Sequence, residues 1–381
     1  MNQWLRKVLF ILIAIPLTLH VIWMFSPKKP LRVFILDKTV LDRRCQEHRS
    51  FNWLLTHWRY CRDDHRLYHT HRDYFGFFPK GNRRYEINDL SALSGERVDR
   101  FADRYDMAYV TDTYGVYRQE WDKKVVIGDF SSKIYGGMDS TEAHVLARMK
   151  ARNKLVILEY NSIASPTAGW VRSRVEDTFG INWTGWSGRY FDSLDSLVNR
   201  ELPKWMIRRY EQQYRKPWQF RNPGMVFIHL NGRIAVIETP TDAESPLPLI
   251  TVEQPWRDTY HLPESLNYPY WFDITFPKGD SLEVMAHYHL RTTARGDTIL
   301  AHAGIPKVFP AMMRCRDRFF YFSGDFADNR VTSWPAYLKW SEYIAIPGKY
   351  LPESMANRAR FFWDFYVPLM RKILHDYAAT L

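Results

Sequence analysis

KLVILEYNSIASPTAGWVRSRVEDTFGINWTGWSGRY, residues Lys154 to Tyr190, is the stretch that decides the fold. Leu155 to Leu158 is an apolar run of strand length, Glu159 to Ser165 a polar strand end, and Thr167 to Phe179 a helical segment; a glycine- and tryptophan-rich return follows. An apolar strand feeding a helix is the unit of a parallel sheet covered on its faces. In such sheets ligands sit outside the carboxyl ends of the strands, so Glu159 and Asn161 are candidate site residues.

Upstream, Asp139 stands three residues before Glu142, a capping-box spacing, and Ala143, Leu146 and Met149 form an apolar stripe behind it. Met107 to Val110 reads as another strand with a polar end, which places Asp112 at the same edge as Glu159. The bland role for Asp112 is to cap the following turn. Leu31 to Leu36 is the first strand, ending at Asp37, and Asp42 to Tyr60 is a helix carrying Phe51, Trp53, Leu54, Leu55 and Trp58. Tyr74 to Pro79 is a short strand or aromatic loop, Ile87 to Leu93 an irregular connector and Lys133 to Gly137 a short strand. Strand and helix alternate throughout, which predicts an α/β fold, a mainly parallel sheet with helices on both faces.

Downstream the pattern changes. Asp192 to Tyr214 has helical spacing, and Gly224 to Thr239 is a hairpin signal in which Asn231-Gly232 suits a type I′ turn. Further strands are expected at Tyr270 to Phe276, Leu282 to Leu290, Thr298 to Ala301, Val308 to Arg314 and Phe319 to Ser323, with a turn at Arg295-Gly296-Asp297. A closing helix after Glu353 is anchored by Phe361, Phe362, Phe365 and Leu369. The expected division is residues 1–30 as anchor and linker, 31–215 as α/β core, and 216–381 as an antiparallel β extension that returns to the core and ends in that helix.

Val8 to Phe25 is uncharged and mostly apolar, preceded by Arg6 and Lys7 and followed by Pro27, Lys28 and Lys29. It has the length of a short membrane span and lacks the small-residue exit of a cleaved signal, so it predicts a single-pass signal anchor, one N-terminal transmembrane helix. Positive charges on both flanks leave the orientation open, but a short leading tail favours a periplasmic or other extracytoplasmic body. A buried core helix is the competing reading.

The formal charge is +11, and the four basic residues of the amino-terminal segment, Arg6, Lys7, Lys28 and Lys29, leave about +7 on the body. No basic arm, zinc-finger spacing or RNA-binding aromatic motif accompanies it, so nucleic acid is not an expected partner. The aromatic content of 16% supplies either core or stacking surfaces for sugars or bases, the core being the commoner use. Cys45, Cys61 and Cys315 form no disulfide framework, leaving a Cys45–Cys61 bond or free thiols. His57, His65, His69 and His71 match no established zinc pattern, and no Walker or dinucleotide glycine loop occurs, so no metal or cofactor is expected.

Val33 to Asp37 as first strand, the strand ending at Asp112, the Lys154 to Glu159 strand, the helix ending in Phe179-Gly180-Ile181 and the late hairpin closing on Arg318 to Asp325 together resemble the class I glutamine amidotransferase-like superfamily. The resemblance covers about two thirds of the chain and implies a flavodoxin-like sheet. It also implies a nucleophilic cysteine at a sharp strand-to-helix turn. The corresponding turn, Glu159 to Thr167, has none, which argues against glutamine hydrolysis and resembles divergent members that serve as accessory or ligand-binding units.

For an enzyme, Asp37, Asp112 and Glu159 are the candidate catalytic carboxylates, two of which would act as acid and base on a glycan. Asn161, Trp186, Arg189, Tyr190 and Asp325 are the candidate ligand-binding residues, with Trp170 and Trp183 as further stacking groups. Ser162 and Ser165 lie near the strand end outside any nucleophile-elbow motif. The expectation is a membrane-anchored envelope protein that binds or hydrolyses a glycan or related polar ligand. The alternative is a non-catalytic structural or interaction component of the envelope.

Overall fold

The computed structural model describes residues 3–122, 131–344 and 350–381. Five strands run parallel at its centre: Val33–Asp37, Phe75–Gly81, Met107–Asp112, Leu155–Glu159 and Phe319–Phe322. Taken in chain order as first to fifth, they lie across the sheet as second, first, third, fourth, fifth. The chain therefore steps away in opposite directions from Val33–Asp37 and Met107–Asp112, and this pair is the switch point of the sheet.

The alternation of side chains sorts the core. Val33, Ile35, Met107, Tyr109, Leu155 and Ile157 face one cluster with the Gln46–His57 helix and the C-terminal helical run. Phe34, Leu36, Ala108, Val110, Val156 and Leu158 face the other with the Glu96–Arg104, Ser140–Ala151 and Gly169–Phe179 helices. Helices thus cover both faces, as the α/β reading required. Ser140–Ala151 starts with the expected capping box: Asp139 accepts from the Thr141 and Glu142 amides while Glu142 accepts from that of Asp139.

The sheet does not stop at the parallel strands. Arg84–Asn88 borders it on one side, and Val308–Cys315, Glu283–His289, Leu249–Val252 and Ser265–Asn267 extend it antiparallel on the other, making ten strands. A second, antiparallel sheet contains Ile234–Glu238, Gly224–His229, Ile181–Phe191 and Trp271–Pro277.

Several local expectations change. Residues 181–191 are an 11-residue strand rather than a return loop; Gly188 is needed there because a Cβ would meet the Phe272 ring at 2.4 Å. Thr298 to Ala301 is helical, inside Ala294–Ala303, because Thr293 caps the start and Gly304 takes the left-handed conformation at the end. Arg295-Gly296-Asp297 is consequently the first turn of that helix. Helix also fills only Lys204–Tyr214 of the 192–214 segment. The Gly224 hairpin forms, but only Gly232 of Asn231-Gly232 has positive φ, so its turn is not type I′. Arg84–Asn88 replaces part of the irregular connector, and the Glu96–Arg104 helix is new. The three cysteines are free.

One N-terminal apolar helix, Gln3–Phe25, has the length and composition to cross a membrane, and its most apolar window is only 6% buried in the protein. Its end is fixed to the body. Trp23 Nε1 donates to the Thr56 carbonyl at 3.2 Å, and Arg59 donates to the carbonyls of Trp23 and Met24 at 2.7 and 2.8 Å. A guanidinium at a helix C-terminus also opposes the helix dipole favourably.

Candidate functional site

The carboxyl ends of the parallel strands gather an acidic cluster. Asp37 and Asp112 are register partners across the switch point. Asp37 Oδ2 lies 2.5 Å from His48 Nδ1, and its Oδ1 accepts from the Thr39 amide. His48 Nε2 faces the Thr70 carbonyl at 2.8 Å; a carbonyl only accepts, so that nitrogen carries a proton. Asp112 Oδ1 accepts from the Tyr114 amide at 2.6 Å and from Asn161 Nδ2 at 3.2 Å. The capping role is therefore present, and it coexists with a carboxyl that burial, and then Asp37, push up to about 8.

Asn161 occupies the turn after the fourth parallel strand with φ of 64°, a conformation asparagine tolerates better than most residues. Its amide side chain is no nucleophile, and the neighbouring Ser162 is fully buried.

Glu159 is oriented differently from Asp112. It lies on the face of Leu155 and Ile157, accepts from Tyr109 Oη, which itself contacts Tyr366 Oη at 2.9 Å, and accepts from the Ala327 amide at 3.0 Å. Burial holds its carboxyl well above the ordinary range. Its geometry is that of a clamp on the 324–329 loop, which Ser50 also holds through the Ala327 carbonyl.

That loop brings Asp325 and Asp328 to the cluster. Asp325 is raised well above its ordinary value by burial, then by Asp328, Asp112 and Glu159, and its Oδ1 is a buried acceptor without a protein partner among the described residues. Asp328 accepts from Gln46, from Arg358 at 2.6 Å and from Tyr270 Oη at 3.1 Å. Burial works against the charge on Arg358, but Asp328 and Tyr270 more than offset it and the net direction is up. Glu47 is likewise pushed up by burial, then by Asp37 and Asp328.

An aromatic wall flanks these groups. Tyr160 stacks on Trp271 at 5.8 Å, and its hydroxyl is pushed up by burial, then by Asp112 and Asp325. The Arg189 guanidinium lies 5.1 Å from the Trp271 ring and 5.8 Å from that of Tyr270, and it pairs with Glu201 at 2.6 Å. Arg358 covers Tyr270 at 3.5 Å.

Of the residues expected from sequence, Asp37, Asp112, Asn161 and Asp325 come together, and Arg189 reaches the aromatic wall. Glu159 touches the same loop from the core side. Trp186 and Tyr190 belong to the second sheet: Trp186 is buried beneath Arg233, and Tyr190 packs in a separate apolar cluster with Phe191 and Met206. Trp183 is buried, and Trp170 is exposed on its helix. Sequence reasoning missed Glu47, His48, Tyr160, Tyr270, Trp271 and Arg358, whereas Asp328 belongs to the polar run Gly324 to Asn329 that the sequence marks as a second cluster. Tyr160 had a usable signal, since it lies between Glu159 and Asn161; Arg358 had none.

The edge is closed. Asp37, Asp112, Asn161, Asp325 and Asp328 are each at most 6% exposed. A cleft of about 250 Å³ lies beside Lys29 and Arg371, and another of about 190 Å³ beside Arg32 and Tyr105; neither is lined by these carboxylates.

No family model matches the chain, and no curated protein matches it. A solved structure described as a ThuA-like protein, from Bacteroides uniformis ATCC 8492, is similar over 91% of this chain and 93% of that one, with 9% identity and a TM-score of 0.39.

Proposed function

We propose that this is a membrane-anchored protein, held by residues 8–25 with its body on the extracytoplasmic side, that binds or acts on a glycan at the switch point of its sheet. The observation that carries the ligand reading is the placement of Asp112 and Asp325 beside the stacked Tyr160 and Trp271. Raised carboxyl groups donate as well as accept hydrogen bonds, and an aromatic face complements the apolar face of a sugar ring. The strand order second, first, third, fourth, fifth supports a flavodoxin-like, amidotransferase-like core, in which a ligand belongs between the first and third strands.

Asp37 and Asp112 are the proposed catalytic pair if turnover occurs, with Asp112 as acid because its carboxyl keeps a proton at neutral pH. Glu159 would position the 324–329 loop, while Asn161, Arg189 and Asp325 would contact ligand. Glutamine hydrolysis has no nucleophile in this arrangement. The test is binding and cleavage of chitotetraose and maltoheptaose by the detergent-solubilised full chain. A hydrolase loses product formation in Asp112→Asn with folding retained; a binder loses affinity in Trp271→Ala without showing turnover. No binding and no cleavage of either oligosaccharide would reject the glycan reading for these two classes.

The closed edge favours a second reading, a non-catalytic structural or interaction component of the envelope, in which the acidic cluster only fixes the 324–329 loop. Anchoring is tested separately: the full chain should stay with the membrane on alkaline carbonate extraction. Release into the supernatant would remove the anchor from either reading.

A further inference from the structure

The loop from Trp334 to Ile344 runs beside the end of the apolar helix. The Lys339 amide donates to the Leu19 carbonyl at 3.1 Å, and His20 Nδ1 lies 2.9 Å from the Tyr337 carbonyl. Leu19 precedes the helix end at Phe25 by six residues, about 9 Å along the axis at the helical rise. The loop therefore lies level with the last two turns of the apolar segment. Trp334, Trp340, Tyr343 and Ile344 are 48–64% exposed there. Exposed tryptophan and tyrosine at this height are what a membrane–water interface accommodates.

Basic groups stand directly behind these rings. Lys29, Lys339 and Arg371 line the 250 Å³ cleft together with Tyr60, Trp340 and Tyr343. Glu342, the acid in the cleft, is committed to His57 Nε2 at 2.5 Å. Arg371 donates to Tyr343 Oη, whereas neither Lys29 nor Lys339 has an ion pair among the described residues. Burial, then Lys339 and Arg371, lower the Lys29 ammonium from its ordinary value, so the three cations of the cleft outnumber its one acid, Glu342.

We propose that this cleft binds the phosphate of an anionic phospholipid headgroup, with the Trp334–Ile344 loop lying in the interfacial layer of the same bilayer. The proposal rests on the anchoring read above and adds a lipid-recognition site to it. Juxtamembrane lysines and arginines attract anionic headgroups, and a fixed cleft adds geometry to that attraction. Ligand that binds only the folded chain raises its melting temperature.

The experiment uses the full chain in mild detergent, with melting followed on addition of phosphatidylglycerol, phosphatidylcholine or inorganic phosphate at equal concentration. Phosphatidylglycerol should raise the wild-type melting temperature by about 2–4 °C, with little effect from the other two. Lys29→Gln combined with Lys339→Gln should melt near wild type without lipid, since neither side chain has an ionic partner, and should lose the rise. Native mass spectrometry should show retained phosphatidylglycerol on the wild type and several-fold less on the double variant; this comparison decides the matter if the variant's melting is altered. An equal rise with inorganic phosphate would overturn the lipid source. An undiminished rise and undiminished retention in the double variant, or no rise in the wild type, would overturn the site. Failure of anchoring shows separately as release by carbonate, without reference to these lysines.

Discussion

Replacing Asp112 by Asn should stabilise the protein at neutral pH, by an amount that depends on pH in a defined way. The carboxyl titrates near 8 in the folded chain and near 3.8 when unfolded. Because the folded value is raised, the group's relative contribution to stability is fully present below about 4 and is lost as pH rises through 8. Over that span the folded chain keeps a proton that the unfolded chain has released, at a cost of about 1.4 kcal/mol per pH unit, or on the order of 4 kcal/mol at pH 7. Tyr114 N and Asn161 Nδ2 both reach Oδ1, an acceptor that asparagine also offers, so those hydrogen bonds survive the substitution. Allowing for relaxation of a buried site, the gain at pH 7 should be about 2–4 kcal/mol. Urea unfolding of both proteins in mild detergent, at intervals from pH 4 to 8.5, would measure it. The difference should be near zero at pH 4, rise toward pH 8 and level off above. A difference independent of pH, or a variant less stable than wild type at pH 7, would refute the reasoning.

Other substitutions separate structural from functional roles. Lys38 and Glu142 form a buried pair at 2.7 Å, so Lys38→Met should cost about 3–5 kcal/mol in denaturant unfolding, while adding Glu142→Gln, which removes the unpaired charge and keeps an acceptor for the Asp139 amide, should recover part of the loss. Gly76→Ala places a Cβ 1.7 Å from the Asp37 carbonyl at a φ of 139°, and should lower stability by about 2–3 kcal/mol. Glu159→Gln should retain partners for Tyr109 and the Ala327 amide and melt close to wild type, whereas Glu159→Ala should cost about 2–4 kcal/mol and speed hydrogen exchange at the Ala327 amide.

The parallel core was legible because its signal is local. Val33–Asp37, Met107–Asp112 and Leu155–Glu159 are short apolar runs with polar ends, and the Asp139–Glu142 capping box marks a helix start from four residues. Signals that depend on a distant partner were misread. Gly185 and Gly188 made residues 181–191 resemble a loop, although Gly188 serves the approach of Phe272 from another strand. Thr298 to Ala301 is β-prone in isolation, and its caps at Thr293 and Gly304 decide for helix. Glu96–Arg104 has only a narrow apolar face, so its helical period was easily missed.

The site followed the same division. Strand ends located Asp37, Asp112 and Asn161, whereas Asp328 with Arg358, and Tyr160 with Trp271, meet only through tertiary packing. Glu159 illustrates a finer point. Side-chain alternation assigns it to the face of Leu155 and Ile157, and since helices cover both faces, a residue still inside the strand faces core rather than the open edge.

Hydroxyl-radical footprinting of the full chain in detergent, with and without chitotetraose or maltoheptaose, tests the glycan site most directly. Trp271 and Tyr270, the half-buried rings of the wall, should become protected while Trp170, exposed on its helix, keeps its reactivity. Bound oligosaccharide with protection confined to other aromatic residues, and none at Trp271 or Tyr270, would contradict a ligand site at the ends of the parallel strands.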